Sequence, residues 1–259
     1  CFFLKYLCQN NKSTLFDAVI AGFLVSACSH GILAIAIQLY KKGASVPAVI
    51  TFLLASPWAN FPVTILLFGF FGWKALLIIL AAMLVALTTG FVFTLLDRFS
   101  LIESSIESKE TSHYEWTAFK HFNIKTAARN VFQGSLSLAN MVLWWILIGF
   151  MISVLIKAYV PHSLFMNYFD ASFFGLCMTL LVATIIEICS EGSSPIAFEI
   201  YNQVGTLGNP FIFLMAGVVT DYTEIGLLWS NIGKRTAIWL PIITVPQILL
   251  IAIFFNKFL

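Results

Sequence analysis

Two stretches without a single charge, LLIILAAMLVALTTGFVFTLL at 76–96 and LSLANMVLWWILIGFMISVLI at 136–156, decide what this chain can fold into. Each is long enough to cross the hydrocarbon layer of a bilayer as an α-helix, which takes roughly 20 residues. The composition agrees: 60% of residues are hydrophobic and only 10% are charged, where a soluble domain carries about 25%. The expected fold is all-α, a polytopic transmembrane helical bundle, with the lipid bilayer as its first partner.

Charge and cysteine usage exclude other classes. Fourteen basic and 12 acidic residues leave a net charge of +2, scattered or paired in loops, so no nucleic-acid surface is expected. The five cysteines are odd in number, and Cys28, Cys177 and Cys189 lie inside apolar runs, which is not a disulfide framework. The chain opens on Cys1 without a signal-peptide pattern and reads as lacking its true beginning.

Sliding the chain along itself by 161 positions aligns Cys28 with Cys189, Ser29 with Ser190, Gly31 with Gly192, Ile35 with Ile196, Ala36 with Ala197 and Tyr40 with Tyr201. Phe52, Leu53 and Ala55 fall on Phe213, Leu214 and Ala216, giving nine identities in 28 positions. This predicts two structural repeats: 1–96, lacking its first helix, and 136–259, joined by a polar connector at 97–135. In each repeat a helix runs into the cysteine motif and continues to the tyrosine. Two short apolar segments follow, broken at SPWANFP (56–62) or TDYTEIG (220–226), either re-entrant or crossing. Inverted and parallel arrangements both remain open at this point. In either, the face carrying the connector holds more Lys and Arg, which predicts that it is cytoplasmic.

The acids are the informative residues. Glu187, Glu191, Glu199, Asp221 and Glu224 lie between apolar helices of the second repeat. A charge at membrane depth is costly unless paired, neutralised or facing water, so these side chains are expected to line an interior cavity and to carry coupling protons or a cation. Glu187 and Glu191, at i and i+4, would share a helix face. Capping of helix breaks is the competing role, chiefly for Asp221 and Glu224. Asn60 aligns with Asp221, which places a polar group at the second break of each repeat. Cys28 and Cys189 are soft ligands and His30 a borderline one, so these three form a candidate set for a soft metal or metalloid, with plain packing as the alternative. Ser29, Gly31, Ser190 and Gly192 complete the expected substrate site by loosening the helix backbone. Trp58, Trp73, Trp229 and Trp239 read as interfacial anchors. No Walker loop, zinc-protease helix or nucleophile elbow occurs, so neither an enzyme nor a cofactor is expected.

The motifs ACSHG with LYKKGAS, ITFLLASPWANFP, and ICSEGSSPIAFEIY with FIFLMAGVVTDYTEIGLLWSNIG resemble the predicted-permease family that includes bacterial organoarsenical efflux permeases. The resemblance covers 14–258. It implies an eight-helix permease of the inner membrane in which motif cysteines bind a trivalent arsenical during efflux. The family's Cys-Ser-Cys-Gly motif and its following proline map to Cys28, Ser29, His30, Gly31 and Ala34, with His30 in place of a cysteine and Ala34 in place of the proline. The leading expectation is a proton-coupled secondary transporter for a small molecule or thiophilic metalloid. The alternatives are a channel, a permease for another solute, or a membrane subunit of a redox complex. Self-association into a homo-oligomer is left open.

Overall fold

A computed structural model describes residues 12–25, 29–103, 168–186 and 190–258, with shorter pieces of 143–159. The helices are α1 (Lys12–Leu24), α2 (Ser29–Lys41), α3 (Val46–Ala55), a 3-10 turn (Ser56–Ala59), α4 (Phe61–Phe71) and α5 (Lys74–Arg98). They are followed by α6 (Phe173–Ile186), α7 (Ser190–Val204), α8 (Gly208–Val219), α9 (Tyr222–Asn231) and α10 (Lys234–Phe258). No strand occurs among the described residues, so the all-α class is borne out. Adding 161 to the bounds of α1–α5 brings each within a few residues of the bounds of α6–α10.

Local chemistry sets these boundaries. Pro47 and Pro62 sit in the first turns of α3 and α4, where a missing N–H costs nothing. Gly43 and Gly72 take positive φ, 95° and 55°, in the short turns that end α2 and α4. The 25 residues of α5 and of α10 each give about 37 Å of apolar helix, enough to cross a bilayer. The segment 208–231 is also long and apolar enough, and α3 with its 3-10 turn meets α4 at 53°.

Side-chain bonds fix the direction of each helix. Glu103, which follows the end of α5, accepts from the Arg235 N–H (2.8 Å), the Thr236 N–H (2.9 Å) and the Thr236 hydroxyl (2.7 Å), so α10 starts on the face where α5 ends. At the other face Lys74 donates to the Tyr201 hydroxyl (2.8 Å), and Asn256 near the end of α10 accepts from the Gly208 N–H (2.8 Å). Helices α5 and α10 are therefore antiparallel, and they touch at mid-length, where Thr88 donates to Gln247 Oε1 (2.6 Å).

The remaining helices follow from these anchors. Thr179 of α6 bonds Asn209 at the start of α8 (3.0 Å), while Thr184, further along α6, meets Thr220 at the α8–α9 break (2.7 Å). So α6 runs alongside α8 from one face to mid-depth. Helix α7 then returns, from the Asn60–Glu191 contact described below to Tyr201 beside Lys74. The first half mirrors this from the opposite face. Gly22, late in α1, lies against Phe52, Ala55 and Ser56 at the end of α3, and Tyr40 at the end of α2 lies within the field of Glu103. Each half thus contains a helical hairpin, α1–α2 or α6–α7, that enters and leaves by one face. Each also contains a broken span, α3–α4 or α8–α9, and a full span. This corrects the expected continuation of one helix through the cysteine motif: the broken segment that crosses is α3–α4, and the reversal lies before α2.

Glu103 also ties the connector to α10. Partial burial raises its carboxyl pKa, but the Thr236 hydroxyl and the Arg235 and Thr236 N–H groups outweigh this and hold it below the ordinary glutamate value. A lowered folded value means the stabilisation is complete above the unfolded pKa and is lost as pH falls through the folded one. Glu103→Ala should cost about 1 kcal/mol, the size of a helix cap at a positive helix end. A Cβ on Gly233 would strike the Glu103 carboxyl group. Gly233→Ala should therefore displace the same cap, and thermal denaturation of the double variant should show a loss well short of the sum.

Candidate functional site

The hairpin and broken helix of opposite halves meet in the interior. Helix α7 begins at Ser190, and its first turn, Ser190 to Ser194, is buried. Glu191 is 1% exposed, and its Oε1 accepts a 2.6 Å bond from Asn60 Nδ2 at the α3–α4 break. The Ser190 hydroxyl reaches Glu191 Oε2 at 3.3 Å, and the Ser193 and Ser194 hydroxyls turn back to the Ser190 carbonyl. Pro195 has no N–H to return to the Glu191 carbonyl, which leaves that carbonyl without its helical donor. The carboxylate thus lies in the positive first turn of α7 and bonds the residue that begins α4.

The matching position in the second half behaves differently. Asp221, aligned with Asn60, caps its own helix: Oδ1 accepts from the Thr223 N–H (2.8 Å), the Thr223 hydroxyl (2.7 Å) and the Glu224 N–H (3.0 Å). Asn60 makes no side-chain cap on α4 and gives its amide to Glu191 instead. Asp221 and Glu224 are both buried at the start of α9, which packs on α2. Thus the capping role holds for Asp221, within the interior rather than at its edge.

Not every expected residue belongs to this cluster. Glu199 is buried and accepts from Gln203 (2.9 Å), but it lies two turns along α7 from Glu191, toward the outer face. Glu187 lies outside the described residues. Cys28 and Cys189 also lie outside them, as do the side chains of Ser29 and His30, whose backbone opens α2. Gly31 is half-buried in the first turn of α2, and Gly192 is buried in that of α7. Among the described residues no three His, Cys, Asp or Glu side chains gather as a metal site. An open recess of about 430 Å³ between α1 and α5, lined by Leu15, Phe16, Leu87, Thr88, Phe91 and Val92, presents an apolar surface unsuited to a polar solute.

Trp58 overturns its reading as an interfacial anchor. It is 0% exposed because the 3-10 turn that carries it is packed against α1, α2 and α5. Sequence reasoning also gave no place to Ser56, which is fully buried in the same turn. A tryptophan beside a proline in an apolar run signals an interface only if the run ends there, and this one continues into α4.

Buried polar groups at helix breaks inside an apolar bundle with full-length apolar helices fit a multi-pass membrane protein. A family model described as predicted permease matches residues 2–257, and the chain belongs to that family. A relative, Rv2963 of Mycobacterium tuberculosis (strain ATCC 25618 / H37Rv), which carries the name of a permease, is 25% identical over 233 residues. The match covers 82% of this chain and 57% of the relative, so the chain spans just over half of that protein's length. No solved structure matches.

Proposed function

We propose that this permease is a secondary transporter whose two halves are inverted repeats and that it exports a small thiophilic metalloid species, such as a trivalent organoarsenical, in exchange for protons. The observation that carries this reading is the Asn60–Glu191 bond, which joins the α3–α4 break of one half to the α7 hairpin of the other. An ionised Glu191 accepts the Asn60 N–H. A proton on Oε1 would set donor against donor, and one on Oε2 would turn the charge-assisted bond into a neutral one, so in either case protonation weakens the bond between the halves. That is the coupling a proton-driven exchanger needs. Opposed directions of α5 and α10, and of the two hairpins, supply the inverted geometry for alternating access.

Cys28 and Cys189 precede the first turns of α2 and α7 in the chain, and with His30 they would take the soft atom of the substrate. Ser29, Gly31, Ser190 and Gly192 would shape the site, while Glu191 would carry the proton and Asp221 and Glu224 would tune its surroundings. The basic residues support placing the connector in the cytoplasm of an inner-membrane protein. Among the described helix ends, Lys12, Lys41, Lys42, Arg98, Lys234 and Arg235 fall on the connector face, against Lys74 and Lys257 on the other.

Everted membrane vesicles carrying the complete protein should take up methylarsenite when a proton gradient is imposed. Cys28→Ser and Cys189→Ser should each lower that uptake at least about tenfold, the scale of one lost ligand. Absence of uptake in vesicles that contain folded protein would refute the metalloid assignment. Uptake indifferent to the gradient would instead indicate a channel.

A further inference from the structure

Two hydrogen-bonding side chains at the α3–α4 break are buried and without a partner among the described residues: the Ser56 hydroxyl and the Trp58 indole N–H, each on a residue that is 0% exposed. Burying such a group unpaired is costly, and proteins rarely retain two within three residues unless something else completes them. Alanine in place of Ser56 would avoid this cost with almost no loss of packing. The indole nitrogen can only donate, which restricts its missing partner to an acceptor.

Their position indicates what that partner is. The 3-10 turn carrying both groups packs against the end of α1 and against α2, the two arms of the first hairpin. Gly22 of α1 lies close enough that a Cβ there would sit 3.4 Å from the Ser56 N atom. Asn60, the next polar side chain along, is already bonded to Glu191. Three donors within five residues therefore line one break, and among the described residues only the last has a partner. A fixed anion is disfavoured beside the Glu191 carboxylate, whereas an uncharged hydroxylated solute can accept from the donors and also donate to the acid.

We propose that Ser56 and Trp58 form a substrate subsite that binds the oxygen atoms of a small uncharged hydroxylated solute. This rests on the transporter reading above and adds to it a site for the oxygen end of the substrate, apart from the thiols.

The test is binding to the purified full-length protein in detergent, with methylarsenite as probe and the ¹⁵N-indole resonance of Trp58 as readout, identified by its loss in Trp58→Phe. The Trp58 resonance should move on titration, and Ser56→Ala should raise the midpoint about tenfold, the effect of one lost hydrogen bond to a bound ligand. Ser56→Ala should leave the melting temperature of the ligand-free protein unchanged or higher, since it removes no bond to the described residues. A Trp58 resonance that stays put, or a melting temperature that falls in Ser56→Ala, would overturn the subsite. Vesicle uptake with an unmoved Trp58 resonance would refute the subsite and leave the transporter reading intact. A moving resonance without uptake would do the reverse.

Discussion

Glu191→Gln is expected to lower gradient-driven uptake in vesicles by roughly 100-fold, the scale on which losing a group that takes up and releases a proton acts. The protein should remain folded, because glutamine keeps the shape of the side chain and its Oε1 can still accept the 2.6 Å bond from Asn60. What the variant loses is the ability to exchange a proton at that position. Asn60→Ala should damage transport in the same direction through a different route: it leaves a carboxylate that is 1% exposed without its amide donor, so stability falls as well. Glu199→Gln, two turns away and bonded to Gln203, should act far more weakly. Uptake by Glu191→Gln that still follows the proton gradient would remove this residue from the coupling role.

The second large effect is topological and all-or-none. Single cysteines placed at Lys41 and Lys234 should react with an impermeant thiol reagent from one side of the membrane only, and those at Trp73 and Asn202 from the other side only. All four positions are exposed and lie at helix ends. The test is made in a background whose five native cysteines are replaced by serine. Labelling of Lys41→Cys and Trp73→Cys from the same side would mean that α3–α4 does not cross, and the assigned directions would fall with it.

Much of this arrangement was legible in the sequence, for identifiable reasons. The 161-residue offset that aligns Cys28 with Cys189 also carries α5 onto α10, because apolar spans end where charges such as Lys74 and Lys234 meet water. The breaks near Asn60 and Asp221 were visible as polar residues inside apolar runs. The hairpins were not. A reversal usually advertises itself with Gly, Pro or polar turn residues, whereas the stretches between α1 and α2 (25–28) and between α6 and α7 (187–189) hold neither Gly nor Pro. The opposite directions of α6 and α7 therefore carried no signal in the sequence. The direction of α10 relative to α5 depended on tertiary bonds, above all that of Glu103 to the start of α10, and composition does not encode such a bond. The pairing of Asn60 with Glu191 spans 131 positions and carried no local signal.

If the protein is the exchanger proposed above, the unequal use of Asn60 and Asp221 sets a resting preference. In a device made of two identical inverted halves, the state open to one side and the state open to the other would have the same energy, and the empty protein would divide its time evenly between them. Here one break is stitched to the opposite hairpin while the other closes on its own helix, so the two orientations do not weigh the same. The empty protein should dwell on one side of the membrane, waiting for its next cargo there.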